Sequence, residues 1–261
     1  MERDVVVDPS GFEPESGEVP ADAPRIAVVV SLWFPGMTAE SRDLMAELTA
    51  TAFTAVRDGG GRPVLVDSSA AELPAPSDVV AAYDGLLFLG GGDVDPALYG
   101  VDGPVPGLYG VYRPADEFCL ALLDAGIGED RPTLAICRGS QLLAVASGGT
   151  LVGDLGPENP HRGRSGEPVF VDEEVALVPG SLIHAVLGRG RVPVRNGHHQ
   201  AVDRPGHGLV VTARAADGVV EGTQRTDRRF VVGLQWHPEE PAADPGDRAR
   251  IFGALVRAAR R

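Results

Sequence analysis

Short apolar runs separated by amphipathic stretches dominate the first half of the chain. Each run is continuous and bounded by turn residues, which is typical of strands buried on both faces of a parallel sheet. Helical spacing of apolar residues, ended by three glycines, predicts a helix over Ala39–Arg57, and a second helix is predicted over Ala115–Ala125. Alternating strands and helices predict right-handed βαβ units. The predicted strands are Ile26–Ser31, Pro63–Asp67, Leu86–Leu89 and Thr133–Ile136.

The pattern changes after about Gly153, where a loop precedes short strand-like pieces joined by turns. Hairpins, such as one around Asp227, predict that these pieces are antiparallel, and a final helix is predicted over Arg248–Arg260. The expected fold is therefore α/β, with a mostly parallel sheet flanked by helices and an antiparallel extension. The pieces are Val169–Val171, Val175–Val178, Val192–Arg195, Leu209–Ala213, Val219–Gln224 and Phe230–Gln235.

Residues 1–24 differ in composition from the rest, with seven acidic residues, one arginine and four prolines. Such a segment buries too little apolar area to offset the entropy lost on ordering. It is predicted to be a disordered acidic tail, which leaves one domain over residues 25–261.

Charge and cysteine content narrow the class of protein. The chain has 23 basic and 37 acidic residues, for a formal charge of −14, and this balance argues against a nucleic-acid partner. Two cysteines without a Cys-x-x-Cys pair suit a reducing cytosol. Neither a signal peptide nor an apolar run of about 20 residues is present, so the expected location is the cytoplasm, without membrane association.

The segment around Cys137 carries the strongest chemical signal. An apolar strand runs straight into this cysteine and a helical pattern follows, with the small residues Ala135 and Gly139 two positions away on either side. This is the arrangement of a nucleophile elbow, and the helix N-terminus would favour a thiolate. The alternative is a buried core cysteine, which is the interpretation adopted for Cys119.

A nucleophilic cysteine needs a base and a group that orients the base. His237 and Glu239 follow the last predicted strand and are two apart, so in extended backbone they project to the same side. A surface histidine beside an acidic turn is the alternative, and His199 is a rival base that spacing alone does not exclude. The adjacent His198 and His199 face opposite sides of a strand, and no third ligand has a recognisable metal-site spacing.

Three consecutive glycines, Gly90 to Gly92, follow the third predicted strand. They let backbone N–H groups approach an anion, although a plain tight turn is the alternative. The loop lacks the motifs of phosphate and dinucleotide sites. Asp93 and Asp95 fit turn residues better than metal ligands, so no metal or cofactor is predicted.

In this order, the glycine loop, the cysteine elbow and the terminal His-Pro-Glu resemble the flavodoxin-like fold of class I glutamine amidotransferases. Within that fold the chain is similar to the gamma-glutamyl-gamma-aminobutyrate hydrolase family, which includes gamma-glutamyl polyamine hydrolases. The resemblance spans nearly all of residues 25–261. Its motifs lie at residues 90–100, 131–141, 148–155, 161–162, 198–201, 217–221 and 235–239.

The resemblance implies a role for each matching residue. Cys137 would be the nucleophile, with His237 and Glu239 completing a triad, which would decide against His199 as the base. Backbone N–H groups of Gly91 and Arg138 would form the oxyanion hole. Residues that match the substrate pocket are Gly92, Gln141, His199 and Gln200.

The implied activity is hydrolysis of a gamma-glutamyl amide through a glutamyl-thioester, with a small-molecule substrate and no cofactor. A glutaminase component that supplies ammonia to a separate synthetase is the alternative, and a non-catalytic protein on the same fold is a third. The sequence leaves open whether the protein forms a homodimer. Three departures from the family pattern, Ala115, Ala144 and Gly197, stand where arginine, asparagine and serine are usual. Ala115 and Gly197 bear on the identity of the substrate.

Overall fold

The computed structural model describes residues 5–12, 19–164 and 166–260. The helices are α1 (Ala39–Asp58), α2 (Pro76–Ala82), α3 (Arg113–Gly128), α4 (Arg138–Ala146), α5 (Leu182–Leu187) and α6 (Pro245–Ala259). The strands are β1 (Arg25–Val30), β2 (Arg62–Asp67), β3 (Gly85–Phe88), β4 (Thr133–Ile136), β5 (Thr150–Val152), β6 (Val171–Leu177), β7 (Arg191–Asn196), β8 (Ala201–Arg204), β9 (Leu209–Arg214), β10 (Val220–Arg225) and β11 (Val231–Leu234).

These strands form one 11-stranded sheet with the order β2-β1-β3-β4-β11-β10-β9-β6-β7, to which β8 adds through β10 and β5 through β8. The part from β2 to β11 is parallel, and the remaining pairs are antiparallel. The expected α/β sheet with an antiparallel extension is confirmed. The prediction that the strand at β11 is antiparallel was wrong. β11 pairs parallel with β4 and antiparallel only with β10, so it belongs to both halves of the sheet.

Side chains alternate between two cores on the two faces of the sheet. In β1, Ile26, Val28 and Val30 pack in the core covered by α1 and α6, whereas Ala27 and Val29 pack in the core covered by α2, α3 and α4. This alternation follows from the period of two in a strand and explains why β1 reads as an unbroken apolar run. Within the described residues, no helix is long and apolar enough to cross a membrane.

Several predicted boundaries change in the structure. Val169 and Phe170 precede β6, so the piece predicted at Val169–Val171 contributes only Val171 to a strand. The last helix begins earlier than predicted because the Asp244 side chain accepts the Asp247 N–H at 2.8 Å and Pro245 suits the first turn. Elements without a sequence prediction are α2, α5, β5 and β8.

Part of the predicted acidic tail contacts the domain. Residues 1–4 and 13–18 lie outside the described residues. The Val7 N–H donates to the Leu32 carbonyl at 3.0 Å, and the Phe12 ring packs 5.4 Å from that of Phe53. Val7 and Phe12 are both buried. Two apolar side chains of residues 5–12 thus find a site on the core that average composition does not reveal.

Candidate active site

Three neighbouring parallel strands bring the predicted chemical segments together. β3, β4 and β11 are adjacent in the sheet and run in the same direction. The glycine loop follows β3, Cys137 follows β4, and His237 lies shortly after β11. Carboxyl ends of parallel strands share one sheet edge, which is the usual ligand site of open α/β sheets. A Cβ built on Gly90 would lie 3.3 Å from His237 Cε1 and 3.9 Å from Cys137 Cβ, so the three segments meet there.

Cys137 has the strained backbone of a nucleophile elbow. Its φ of 52° lies in the left-handed region, which non-glycine residues rarely adopt, and it caps the N-terminus of α4. The Cys137 N–H donates to the Leu234 carbonyl at 2.8 Å, which ties the turn to β11. The Gln235 side-chain amide lies 3.6 Å from the Cys137 sulfur. The sulfur is thereby presented at the sheet edge beside polar groups.

The elbow requires glycine at position 139 for steric reasons. A Cβ there would lie 2.8 Å from both the Cβ and the carbonyl oxygen of Phe88, so α4 could not approach β3 as closely. We expect Gly139→Ala to lower the free energy of unfolding by about 1–3 kcal/mol, measured by urea denaturation. Gly128→Ala is the matched helical control. A Cβ there meets no heavy atom of the described residues within 4 Å, so this substitution should be neutral or stabilising. Equal stability of the two variants would contradict this explanation.

His237 and Glu239 form a buried hydrogen-bonded pair. The Nδ1 atom of His237 lies 2.8 Å from Glu239 Oε1, and the two residues are 4% and 0% exposed. Because a carboxylate only accepts, Nδ1 carries the hydrogen and Nε2 is left to face other groups. Burial opposes protonation of the ring, but the charges of Cys137 and Glu239 outweigh it and raise the pKa of His237 well above its usual value.

This raised pKa predicts a pH-dependent contribution to stability. The pKa of His237 is higher in the folded chain than the value of about 6.5 in the unfolded chain, so its contribution is fully present below about pH 6.5. It is lost as the pH rises through the folded-state pKa. We expect the difference in unfolding free energy between wild type and His237→Gln to shrink as the pH is raised. The exposed His207→Gln is the control, and a pH-independent difference for His237→Gln would contradict the prediction.

The glycine loop is held by a second loop that the sequence analysis missed. A Cβ on Gly92 would lie 2.4 Å from the Gly110 carbonyl oxygen, so the two backbones are in direct contact. The Asp93 N–H donates to the Tyr109 carbonyl, and Asp93 accepts the Tyr109 N–H at 2.8 Å. Gly92, predicted to bind substrate, thus has a steric requirement of its own, because the paired loops leave no room for a side chain.

His199 faces this paired loop and not the Cys137 elbow. Its Nε2 lies 2.9 Å from Asp93 Oδ1, and its ring stacks on Tyr109 with 5.6 Å between centroids. Burial lowers the pKa of His199, but Asp93 and Asp154 outweigh burial and raise it. Tyr109 is 46% exposed and forms a wall near the site. In the sequence, the only indication of this loop is the set of turn glycines around Tyr109.

Two predicted pocket residues use their side-chain amides within the protein. The Gln200 side chain accepts the Val94 N–H at 3.3 Å and donates to the Gly153 carbonyl at 3.1 Å. The Gln141 amide donates to the Gln200 carbonyl at 3.1 Å and to the Gln235 side chain at 3.3 Å. Both residues are nearly fully buried. The two glutamines therefore connect α4 to the segment 198–200 through hydrogen bonds within the protein.

The Arg138 side chain is engaged in a buried ion pair. Its guanidinium forms a 2.6 Å ion pair with Asp116, and both side chains are buried, at 7% and 0% exposed. Asp116 also accepts the Asp95 N–H at 3.0 Å. Asp116 thus occupies the Arg138 guanidinium. The positive charge of Arg162 acts to lower the pKa of both Tyr109 and His199.

The structure gives a reason for glycine at position 197, where serine is usual in the family that the sequence resembles. A Cβ on Gly197 would lie 2.8 Å from the Phe170 ring. That ring packs edge-on against His237 with 4.9 Å between centroids. Phe170 therefore fills the space beside the histidine, and the loss of the side chain at position 197 accommodates it.

Comparison with known proteins agrees with this geometry. The family model of Peptidase C26 matches residues 26–239. The chain belongs to the Peptidase C26 family. Gamma-glutamyl-gamma-aminobutyrate hydrolase PuuD of Escherichia coli is 32% identical over 195 residues, which cover 71% of this chain and 75% of that protein. A Mycobacterium tuberculosis protein provisionally named a glutamine amidotransferase is 38% identical over 220 residues, covering 81% of this chain and 67% of that protein. Membership in Peptidase C26 and these relatives support a hydrolase.

Solved structures show the fold of this Peptidase C26 chain. The glutaminase domain of Trypanosoma brucei CTPS matches with a TM-score of 0.60 at 17% identity, covering 90% of this chain and 93% of that domain. A glutamine amidotransferase of Thermotoga maritima matches with a TM-score of 0.57 at 17% identity, covering 91% and 96%. The expected class I glutamine amidotransferase fold is confirmed.

Proposed function

We propose that this chain is a cysteine-nucleophile hydrolase that cleaves a gamma-glutamyl amide bond through a glutamyl-thioester. The observation that carries the proposal is the buried His237–Glu239 pair beside a cysteine with strained backbone at a helix N-terminus. The relatives named gamma-glutamyl-gamma-aminobutyrate hydrolase support the substrate class.

In the first step, the Cys137 thiolate attacks the gamma-carbonyl carbon of the substrate. A C–S bond forms, and the carbonyl oxygen becomes an oxyanion that accepts hydrogen bonds from the backbone N–H groups of Gly91 and Arg138. Collapse of this intermediate breaks the C–N bond, and His237 gives its proton to the leaving amine. Glu239 keeps the proton on Nδ1, so that Nε2 is the atom that exchanges protons.

In the second step, His237 accepts a proton from water while the water oxygen attacks the thioester carbon. The C–S bond then breaks, free glutamate leaves, and the thiolate and imidazolium are restored. No group beyond these side chains and water is required. For the glutamyl alpha-carboxylate we propose Arg162 as a partner, because it follows His161 in a motif that resembles the family, whereas Arg138 is paired with Asp116.

The proposal is tested by offering the purified protein L-glutamine and a panel of gamma-glutamyl amides of gamma-aminobutyrate, diamines and amino acids. We expect release of glutamate from at least one amide other than glutamine, and an acid-quenched glutamyl adduct on Cys137 by mass spectrometry. Turnover of glutamine alone, dependent on a co-purifying synthetase, would favour an ammonia-supplying glutaminase instead.

A further inference from the structure

A second cluster of titratable side chains lies outside the proposed catalytic site. His161, His198 and Glu221 are each 3% exposed or less, and their ligand-type atoms all lie within 4.8 Å of one another. Glu173 and Asp217 border the cluster. We propose that His161 Nδ1, His198 Nε2 and Glu221 bind one divalent transition-metal cation.

The hydrogen bonding of His198 carries the first step of the argument. Its Nδ1 lies 2.9 Å from the backbone carbonyl oxygen of Gln200. A carbonyl oxygen only accepts, so Nδ1 carries the hydrogen, and when the ring is neutral Nε2 presents its lone pair. That lone pair faces Glu221 Oε1 at 3.2 Å. This contact needs either a proton on Nε2 or a cation between the two atoms, and a cation is the alternative that also serves His161. An Nδ1–H donated to a backbone carbonyl is also the usual anchor of a metal-bound histidine.

His161 repeats this arrangement from the opposite side of the cluster. Its Nε2 lies 3.0 Å from Asp217 Oδ2, and its Nδ1 lies 2.8 Å from Glu173 Oε2 and 3.8 Å from Glu221 Oε1. A carboxylate that holds the outer nitrogen and leaves the inner one toward the ligands is the carboxylate–histidine–metal pattern. Both histidines thus have one nitrogen anchored outward. The second nitrogen of His198 faces Glu221, and that of His161 lies between Glu173 and Glu221.

The distances suit a tetrahedral cation. Zinc bonds of about 2.0–2.1 Å to nitrogen and oxygen place neighbouring ligand atoms roughly 3.3 Å apart. The separations of 3.2 Å and 3.8 Å from Glu221 Oε1 to the two histidines bracket that value. The His161 and His198 rings stack with 5.0 Å between centroids at 15°. Two imidazolium rings stacked in this way repel each other, whereas two neutral rings bound to one cation do not.

Buried oxygen atoms that accept no hydrogen bond indicate where a cation would bind. Glu221 is fully buried, and among the described residues neither its Oε2 nor the buried Asn196 Oδ1 has a hydrogen-bond partner. A buried carboxylate is costly unless it is paired or bound to a metal. Three carboxylates surround two histidines that need not be charged, so a divalent cation would compensate most of the negative charge. The donor set of imidazole and carboxylate suits zinc and its first-row neighbours.

Such a cation would be structural. The ligands come from the loop before β6, from the loop between β7 and β8, and from β10, so one ion would join parts of the antiparallel extension. His199 follows His198 directly, and the Gln235 N–H donates to the Glu221 carbonyl at 2.8 Å. The cluster thereby adjoins the segments that lead to the proposed catalytic site, although the inference depends on no step of that reaction.

The test uses the full chain, purified without a polyhistidine tag, stripped with a chelator and titrated with Zn²⁺ against a chromophoric competitor. We expect one equivalent per chain, a rise in melting temperature on zinc addition, and intense visible bands with Co²⁺. His198→Gln and Glu221→Gln should each lower affinity by more than about 100-fold, and Asp217→Asn by about 10- to 100-fold. The exposed His207→Gln is the matched control and should bind as wild type does.

Failure of the wild type to bind Zn²⁺, Mn²⁺ or Co²⁺ stoichiometrically would overturn the proposal and assign the cluster to protonated histidines. Unchanged affinity in Glu221→Gln would overturn it equally. If the buried substitutions prevent folding, Asp217→Asn decides the matter. Its side chain is 45% exposed, so this variant should fold, and unchanged affinity there would also count against the site.

Discussion

Replacing Cys137 by alanine should lower the rate of gamma-glutamyl amide hydrolysis by about 10⁴-fold or more, since no other group in the proposed mechanism can form the thioester. The reduced rate should persist at saturating substrate, because the lost bond forms only after binding. Thermal unfolding should change little, since the thiol is small and lies at the sheet edge. The measurement is steady-state release of glutamate together with the melting temperature.

Cys119 provides the matched control for this experiment. It is buried in α3, whereas Cys137 is partly accessible. Burial raises the pKa of the Cys119 thiol and disfavours a reactive thiolate. Cys119→Ala should therefore keep its activity within a few-fold and retain the glutamyl adduct. Hydrolysis at the wild-type rate by Cys137→Ala would refute the covalent mechanism.

Arg138→Met should lower the free energy of unfolding by about 3–5 kcal/mol, because it leaves the Asp116 carboxylate buried without its partner. The guanidinium and carboxylate are 2.6 Å apart, with side chains 7% and 0% exposed. The backbone N–H of residue 138, the proposed oxyanion donor, is unchanged by the substitution. Urea denaturation monitored by circular dichroism measures the effect.

The double variant Arg138→Met/Asp116→Asn separates charge from packing. Asparagine keeps an acceptor for the Asp95 N–H but removes the uncompensated charge, so the double variant should recover a large part of the lost stability. If the single variant loses less than about 1 kcal/mol, or the double variant is the less stable of the two, the ion pair does not have the assigned role.

Local sequence patterns predicted the element types well where periodicity is strong. The apolar runs at β1 to β4 and the helical spacing of α1 identify structure that depends on contacts of neighbouring residues with the sheet or core. The same reasoning failed for β11, because a short apolar strand looks alike whether its partner is parallel or antiparallel. It also missed the contacts of Val7 and Phe12, since composition averages over a segment whereas two side chains suffice to dock it.

The sequence by itself determined the α/β class, the elbow at Cys137, the His237–Glu239 spacing and the resemblance to a family, because each depends on residues close together in the chain. Only the tertiary structure decided that β11 lies beside β4 and brings His237 to the cysteine, that Asp116 occupies the Arg138 guanidinium, and that residues at 161, 198 and 221 meet. The physical reason is sheet order. Partners distant in the chain are chosen by which strands pair, and no local period or spacing records that choice.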